Sequence, residues 1–240
     1  MRLRTLALLI VVSTAGCHPL PRGGTTGADA DALARAMERA VHKDEWDRTG
    51  AVRWTFRAVG QTHRLAWDKQ RNLAQVSWRN HLVHLDVANK SGRAWTKGVE
   101  QTGKKHDELI EDALKIFFND SFWLNPVAKL FDDGVTRQKV LVKGKPALFI
   151  KYNSGGVTPG DRYLWLLDEN ARPVAWRMWV KVLELPGLQV SWEDWRSLPS
   201  GAMVATKHRF LRTTGVRIAD VQAAPSWAEL PATDGQSSSR

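Results

Sequence analysis

The chain has 240 residues, 43% of them hydrophobic and 25% charged, with 12 Trp, 2 Tyr and a single Cys. This apolar and aromatic composition excludes a collagenous or disordered chain and predicts one globular domain. One cysteine excludes an intramolecular disulfide and a cysteine-rich metal cluster. Without Arg2 and Arg4 the chain has 33 basic and 25 acidic residues, and the resulting charge of +8 over residues 17–240 suits anionic lipid headgroups, although a solvated basic surface is at least as good an interpretation.

Residues 1–16 have the pattern of a secretory signal peptide. Arg2 and Arg4 precede an apolar run over residues 6–12, and the small residues at 13–16 lead to Cys17. The run is too short to span a bilayer as a permanent helix. The simpler alternative is an ordinary signal peptide whose cleavage region happens to contain a cysteine.

The small residues directly before Cys17 resemble the lipobox of bacterial lipoproteins. The resemblance implies that the Cys17 thiol is diacylated with palmitate-type chains and that Cys17 is a membrane anchor, not a catalyst. It also implies outer-membrane localisation facing the periplasm, because His18 stands where Asp commonly marks inner-membrane retention. Export and the scattered Lys and Arg residues disfavour nucleic acid as a partner.

Residues 17–28 are rich in Pro, Gly and Thr, which predicts a flexible, lipidated tether. From Asp29, apolar residues recur at helical spacing, and Gly50 ends that element. Strict alternation of apolar and polar residues then predicts antiparallel strands joined by short turns. These strands are 51–58, 61–68, 72–78, 81–87 and 93–99.

Helical spacing returns at 106–131 and predicts two short helices, the second beginning at Ser121. Their apolar residues are the candidates for a lid: Leu109, Leu114, Phe117, Phe118, Phe122 and Trp123. Strand periodicity resumes at 135–143, 145–153, 161–168, 173–183, 188–196 and 202–211. It fades after Thr213, so residues 216–240 are predicted to be a polar C-terminal tail.

This order of elements predicts a mainly β, α+β fold. We expect a curled antiparallel sheet or half-open barrel of about eleven strands, with an N-terminal helix and a mid-chain helical lid. The lipidated Cys, the element order and the segments 163–176 and 190–204 resemble the lipoprotein-localisation (LolA/LolB-like) superfamily. The resemblance spans roughly 29–211 and implies a domain at 29–215 whose half-barrel holds acyl chains.

Motifs of catalysis are missing from the sequence, which contains no HExxH, GxSxG, glycine-rich phosphate loop or CxxC. His81 and His84 lie three residues apart on a predicted strand, so they point to opposite faces and cannot share a metal ion. The acidic pairs Asp132–Asp133 and Glu193–Asp194 are interpreted as solvated charge or capping groups. We therefore predict no enzyme activity, no cofactor and no metal site.

Bulky apolar residues on the alternating strands carry the remaining functional signal. They are candidates to line a concave cavity, although ordinary core is the alternative for each one. The candidates are Trp54, Phe56, Leu65, Trp67, Val76, Trp78, Leu164, Leu166, Trp176, Met178 and Trp192.

The first functional hypothesis is a membrane-anchored, periplasm-facing lipoprotein that binds a lipid or the acyl chains of a lipoprotein in this cavity. The alternative is an envelope scaffold whose barrel is fully packed and whose outer Trp residues meet a protein partner. A lipid-modifying enzyme is the third possibility.

Overall fold

The computed structural model describes residues 18–154, 160–180, 187–210 and 213–231. The predicted signal peptide, the predicted acylation site Cys17 and residues 232–240 lie outside these ranges. The fold is mainly β: one large, open, curled antiparallel sheet with few helices. The sheet has 14 strands, more than the eleven or so that the sequence predicts.

The helices are α1 (Ala28–Ala40), α2 (Lys43–Arg48) and α3 (Gly103–Leu124), with 3-10 turns at Pro126–Lys129 and Trp227–Glu229. The first six strands are β1 (Ala51–Ala58), β2 (Gln61–Asp68), β3 (Leu73–Trp78), β4 (His81–Asp86), β5 (Ser91–Thr96) and β6 (Val99–Glu100). The next five are β7 (Val135–Val142), β8 (Lys145–Tyr152), β9 (Arg162–Leu167), β10 (Pro173–Trp179) and β11 (Leu188–Ser191). The last three are β12 (Glu193–Ser197), β13 (Met203–Phe210) and β14 (Thr213–Ala224).

Two meanders form the sheet, and they meet at its centre. The strand order is β6-β5-β4-β3-β2-β1-β14-β13-β11-β10-β9-β8-β7, and β12 pairs with β13 beside this path. Tight hairpins connect neighbouring strands, with left-handed residues such as Gly60 (φ 70°) and Lys97 (φ 52°) in the turns. The two meanders are joined by the antiparallel pairing of β1 with β14.

The predicted polar tail at 216–240 is wrong for its first part, because residues 213–224 form β14. Val216 and Ile218 are buried in the main core, and Phe56 of β1 pairs with Ile218. The alternation then breaks at a β-bulge, where the register with β1 shifts and Asp220 has φ 53°. A period-two pattern that changes phase within one strand is hard to recognise from sequence.

The predicted tether is also wrong in part, because residues 18–27 lie against the sheet instead of extending freely. Thr25 forms an isolated antiparallel bridge with Lys139 of β7, with N–O distances of 2.9 and 2.8 Å. The Gln138 side-chain amide donates to the carbonyl of Gly23 at 2.7 Å. Glycine and proline predicted flexibility here, but the glycines instead allow the backbone to approach β7 closely.

The mid-chain helical region is one long helix followed by a 3-10 turn, not two helices with a boundary at Ser121. Ser121 lies inside α3 and its hydroxyl donates to the Phe118 carbonyl at 3.4 Å. Serine favours helix starts but also tolerates helix interiors when its hydroxyl bonds the preceding turn. Asn125 then ends α3, and its side chain accepts from the Ala128 amide.

The sheet carries apolar residues on both faces, which we call the concave face and the outer face. The concave face packs against α1 and α3 and holds the main core, which includes Val52, Trp54 and Phe56. The outer face has two smaller clusters, one around Ala51 and Ala66 and one comprising Val140, Ala147 and Leu164.

Replacing Ile218 with Ala tests whether β14 is part of the core. We expect Ile218→Ala to lower the free energy of unfolding by about 2–4 kcal/mol, because it removes buried methylenes and leaves a cavity. Arg217→Ala, at an exposed position on the same strand, should change it by less than about 0.5 kcal/mol. Urea denaturation followed by Trp fluorescence measures both, and equal small effects would contradict the assignment of β14 to the core.

Candidate functional site

The long helix α3 covers the concave face and contacts both halves of the sheet. It lies against β3, β4 and β5 from the first meander and against β13 from the second. Its buried residues recur at helical spacing, and they are Leu109, Ile110, Ala113, Phe117, Asp120, Ser121, Trp123 and Leu124. The sheet and this helix enclose the main apolar core of the described residues.

Most of the predicted cavity-lining residues lie on the concave side. Trp54, Phe56, Leu65, Val76, Trp176, Met178 and Trp192 are buried members of the main core. Trp67 and Trp78 are partly buried and pack against it.

The prediction is wrong for Leu164 and Leu166, which lie on the outer face. Leu164 is buried with Val140 and Ala147, and Leu166 packs against them. Strand β9 is apolar on both faces, so alternation alone could not decide which residues point inward. The residues that β9 buries in the main core are Tyr163 and Trp165, which the sequence analysis missed.

All six lid candidates lie on α3 and contact the main core. Leu109, Phe117 and Trp123 are buried, whereas Leu114, Phe118 and Phe122 are partly buried. Phe122 contacts rings of the second meander, with Tyr163 at 5.4 Å and Trp176 at 5.8 Å between ring centroids. The C-terminal end of α3 therefore contacts the second meander through aromatic rings.

Five aromatic side chains meet beneath this end of α3, and we call them the tryptophan cluster: Trp123, Trp165, Trp176, Trp192 and His208. Trp123 comes from α3 and the others from neighbouring strands or their connections. The Trp176 ring centroid lies 4.9 Å from those of Trp123, Trp165 and Trp192. These separations are those of favourable edge-to-face and tilted aromatic pairs.

Three indole donors in the tryptophan cluster are buried and have no acceptor among the described residues: Nε1 of Trp165, Trp176 and Trp192. A buried polar group without a partner costs about 1–3 kcal/mol. An acceptor oxygen within reach of one of these donors would remove that cost for it. The cluster thus combines a large apolar surface with unused hydrogen-bond donors.

His208 is the ionisable member of the tryptophan cluster. It is fully buried, its ring centroid lies 4.3 Å from that of Trp192, and its Nδ1 is 3.3 Å from the Ser191 carbonyl oxygen. Burial lowers the pKa of the imidazole to about 4, although backbone hydrogen bonds partly oppose the shift. His208 is therefore neutral near pH 7, and its protonation is coupled to unfolding or opening of the cluster.

A second polar contact ties α3 to the first meander. His63 Nδ1 on β2 lies 2.7 Å from Oδ2 of Asp120, whose side chain is fully buried within α3. Burial raises the pKa of the Asp120 carboxyl, and hydrogen bonds from His63 and Asn119 oppose the shift. Because Asp120 has these partners, the contact holds the C-terminal part of α3 on β2.

The described residues contain no group of three or more His, Cys, Asp and Glu side chains placed to hold a metal ion. His81 bonds Thr96 through Nδ1 at 2.9 Å, whereas His84 contacts the Trp95 ring at 4.9 Å between centroids. None of the described helices is both long and apolar enough to cross a membrane.

The structure defines the class of the molecule: a mainly β protein with a large open antiparallel sheet and a single long helix across its concave face. No family model matches the chain, and no curated protein matches it either. The chain is similar to the crystal structure of a DUF1329 family protein from Desulfovibrio piger, with a TM-score of 0.42 and 11% identity. That similarity covers 81% of this chain and 92% of the other.

The low pKa of His208 predicts a loss of stability in acid. In the unfolded chain the imidazole has a pKa of about 6.5, so between about pH 6.5 and 4 the unfolded state binds a proton that the folded state does not. The free energy of unfolding should therefore fall by about 1.4 kcal/mol for each pH unit across most of that window. NMR titration of labelled histidines and denaturation at several pH values measure the two quantities.

His208→Phe is the control variant, because it keeps an aromatic ring in the tryptophan cluster and removes the titrating group. The difference in the free energy of unfolding between the wild-type protein and His208→Phe should be independent of pH above about 6.5. Below that pH the wild-type protein should lose stability relative to the variant. A difference that stays constant down to pH 4, or a His208 pKa near 6.5, would contradict the prediction.

Proposed function

We propose that the protein is an outer-membrane lipoprotein that faces the periplasm and binds the acyl chains of a lipid or lipoprotein between the concave face and α3. Acylated Cys17 anchors it in the membrane. A shuttle has to be soluble, so an anchored protein of this kind serves as a receptor or a lipid-handling protein. This function needs affinity and no catalytic step or cofactor. The resemblance of the sequence to the lipoprotein-localisation superfamily supports the proposal.

The tryptophan cluster is the observation that carries this function. Acyl-chain sites are apolar, and the rings of this cluster offer a large apolar surface under one end of a single helix. An acyl ester also has a carbonyl oxygen, which can accept from an indole N–H. The unpaired Nε1 donors of Trp165, Trp176 and Trp192 match that second requirement.

Entry of an acyl chain requires α3 to move at its C-terminal end. Phe122 and Trp123 are the aromatic side chains that this end inserts against the second meander. An acyl chain that replaced them would recover apolar contacts with Trp165, Trp176 and Trp192. The first half of α3 can keep the helix attached to β3–β5 during this movement.

The second candidate function, an envelope scaffold with a packed core and a protein partner, is favoured by a different observation. In the structure the rings of Trp165 and Trp176 have 0% exposure and touch each other, so the described interior at this point is filled by side chains. A scaffold would keep these contacts permanently. A lipid-binding protein would exchange them for its ligand.

The acyl-binding proposal predicts that lipid copurifies with the protein and that added lipid changes Trp fluorescence. We expect mass spectrometry of an organic extract to find acyl species beyond those attached to Cys17. Oleate or a synthetic triacylated cysteinyl peptide should shift the Trp emission of the delipidated protein, because indoles of the tryptophan cluster change contacts. Isothermal titration gives the affinity.

Trp123→Ala distinguishes the two candidate functions. It removes the ring that α3 places over the cluster. If the acyl chain has to displace this ring, the variant should bind oleate about tenfold more tightly or better. The matched control is Trp95→Ala, because Trp95 contacts His84 on the outer face and lies away from the cluster. If neither oleate nor the triacylated peptide changes the Trp emission of the wild-type protein, the acyl-binding proposal is overturned and the scaffold is favoured.

Acylation of Cys17 is tested by cell fractionation. We expect Cys17→Ala to abolish incorporation of labelled palmitate and to move the protein from the outer-membrane fraction to the periplasm, because the acyl chains provide the stable anchor. Ser13→Ala, which keeps a small residue before the cysteine, should leave both unchanged. A Cys17→Ala protein that still sediments with integral membrane proteins would show that acylation is not the anchor.

A further inference from the structure

The N-terminal segment 18–25 forms a strap across the outer face of the second meander. At one end, the Trp179 indole of β10 donates to the carbonyl of His18 at 3.0 Å. At the other end, Gly23 and Thr25 bond Gln138 and Lys139 of β7. The strap thus runs between two strands that are separated by β8 and β9 in the sheet.

Two glycines allow the strap to lie this close. A Cβ atom on Gly24 would come within 2.5 Å of the Lys139 carbonyl oxygen and within 2.7 Å of the Val140 side chain. A Cβ on Gly187 would come within 2.3 Å of the His18 carbonyl oxygen and 2.9 Å of the Trp179 ring. Both glycines also have positive φ, which other residues adopt at a cost. The start of the strap is therefore held in place at Trp179.

His18 is the residue that directly follows Cys17 in the sequence, and neighbouring Cα atoms are about 3.8 Å apart across a trans peptide. An acyl chain on Cys17 would leave the protein close to Trp179 and Gly187. Whatever membrane receives that chain is then close to the outer face of β10.

The outer face next to this point is apolar and basic. Val142, Phe149, Leu166 and Trp179 are partly buried around the outer cluster. Residues directly opposite each other in antiparallel strands share a face, so the cross-strand register places four cations there. These cations are Lys145, Lys151, Arg162 and Arg177.

Acidic residues are missing from this part of the sheet, because the sequences of β7 to β11 contain no Asp or Glu. The positive surroundings extend to the start of the strap. The pKa of His18 is lowered by its partial burial and by the nearby Arg177 and Lys143 charges.

We propose that the outer face of β7–β10, together with the strap that crosses it, is a docking surface for an anionic lipid bilayer, and that it sets the orientation of the protein on its membrane. The position of the docking surface relative to the anchor rests on the proposed acylation of Cys17. The four cations, none of which forms an ion pair with a described residue, bind lipid phosphates and acidic headgroups, and the rings of Trp179 and Phe149 lie at the headgroup level, as aromatic residues do at membrane interfaces.

The docking surface is tested with the full chain carrying Cys17→Ser, so that no acyl chain contributes to binding. Vesicles of phosphatidylglycerol and phosphatidylethanolamine are compared with vesicles of phosphatidylcholine. We expect binding to the anionic vesicles, weakening as salt rises, and little binding to the neutral ones. Lys145→Glu with Lys151→Glu should reduce binding to anionic vesicles at least about tenfold. Circular dichroism and the urea midpoint confirm that each variant is folded.

The matched control is Arg64→Glu with Lys97→Glu, which makes the same change in net charge at exposed positions of the first meander. It should bind anionic vesicles within about twofold of the parent. Equal losses in the two double variants would overturn the proposal, since binding would then depend on net charge alone. Absence of binding by a folded parent would also overturn it, and would favour a protein partner for the outer face.

A site-specific probe separates this proposal from the anchor itself. In the Cys17→Ser chain, a spin label on Lys145→Cys should become protected from an aqueous relaxation agent on anionic vesicles, whereas a label on Lys97→Cys should not. If wild-type protein incorporates palmitate but the label on residue 145 stays exposed, the anchor stands and the docking surface is wrong. If docking occurs without palmitate incorporation in the wild type, the docking surface stands and the anchor is wrong.

Discussion

The pairing of β1 with β14 is the interaction on which the rest of the molecule depends. It joins residues far apart in sequence, with Ala51 opposite Ala224 and Ala58 opposite Val216. The entropic cost of closing such a long loop grows only slowly with its length, and the pairing is favoured by burial of Phe56 against Ile218. Without it, the chain would have two smaller sheets, each with one more exposed edge.

The same pairing determines what α3 can do. One helix contacts β3–β5 and β13 only because the two meanders form one curved surface. Trp123 then reaches Trp176 and His208, which lie in the second meander, from a helix that Asp120, three residues earlier, attaches to His63 in the first. The tryptophan cluster therefore requires both halves of the sheet and the helix between them.

The regular parts of this fold could be predicted from the sequence, since strict alternation gave the bounds of β1 and β2 as the structure has them. Three irregular parts could not. The bulge at Asp220 changes the phase of β14, Ser121 lies inside a helix that it was expected to begin, and β9 is apolar on both faces. In each case contacts with distant residues override a local preference.

Gly215 shows how a contact between neighbouring strands enters the sequence. A Cβ atom at this position would lie 1.4 Å from the Phe210 ring of β13, so only glycine lets Phe210 pack across β14. Glycine is also one of the residues that strands disfavour. The residue that weakens the strand signal is therefore the one that the packing requires.

The Trp excess that the composition shows is explained only in part by alternation. Alternation correctly predicts that Trp54 and Trp176 are buried, but it cannot reveal that Nε1 of Trp176 lacks an acceptor or that Trp165 is its neighbour. Both facts depend on the cross-strand register of β9 and β10, which places Trp165 opposite Trp176. Candidate residues can be found from the sequence, whereas their use as a site depends on this register.

The two proposals constrain each other through the geometry of one sheet. Strands β9 and β10 place Trp165 and Trp176 on the concave face and Arg162 and Arg177 on the outer face. If the outer face docks on lipid, α3 and the tryptophan cluster face away from the membrane, toward the periplasm. An acyl chain bound there must then pass around an edge of the sheet to reach the bilayer. The sheet edge nearer to β9 and β10 is β7, where the strap is hydrogen-bonded to Lys139.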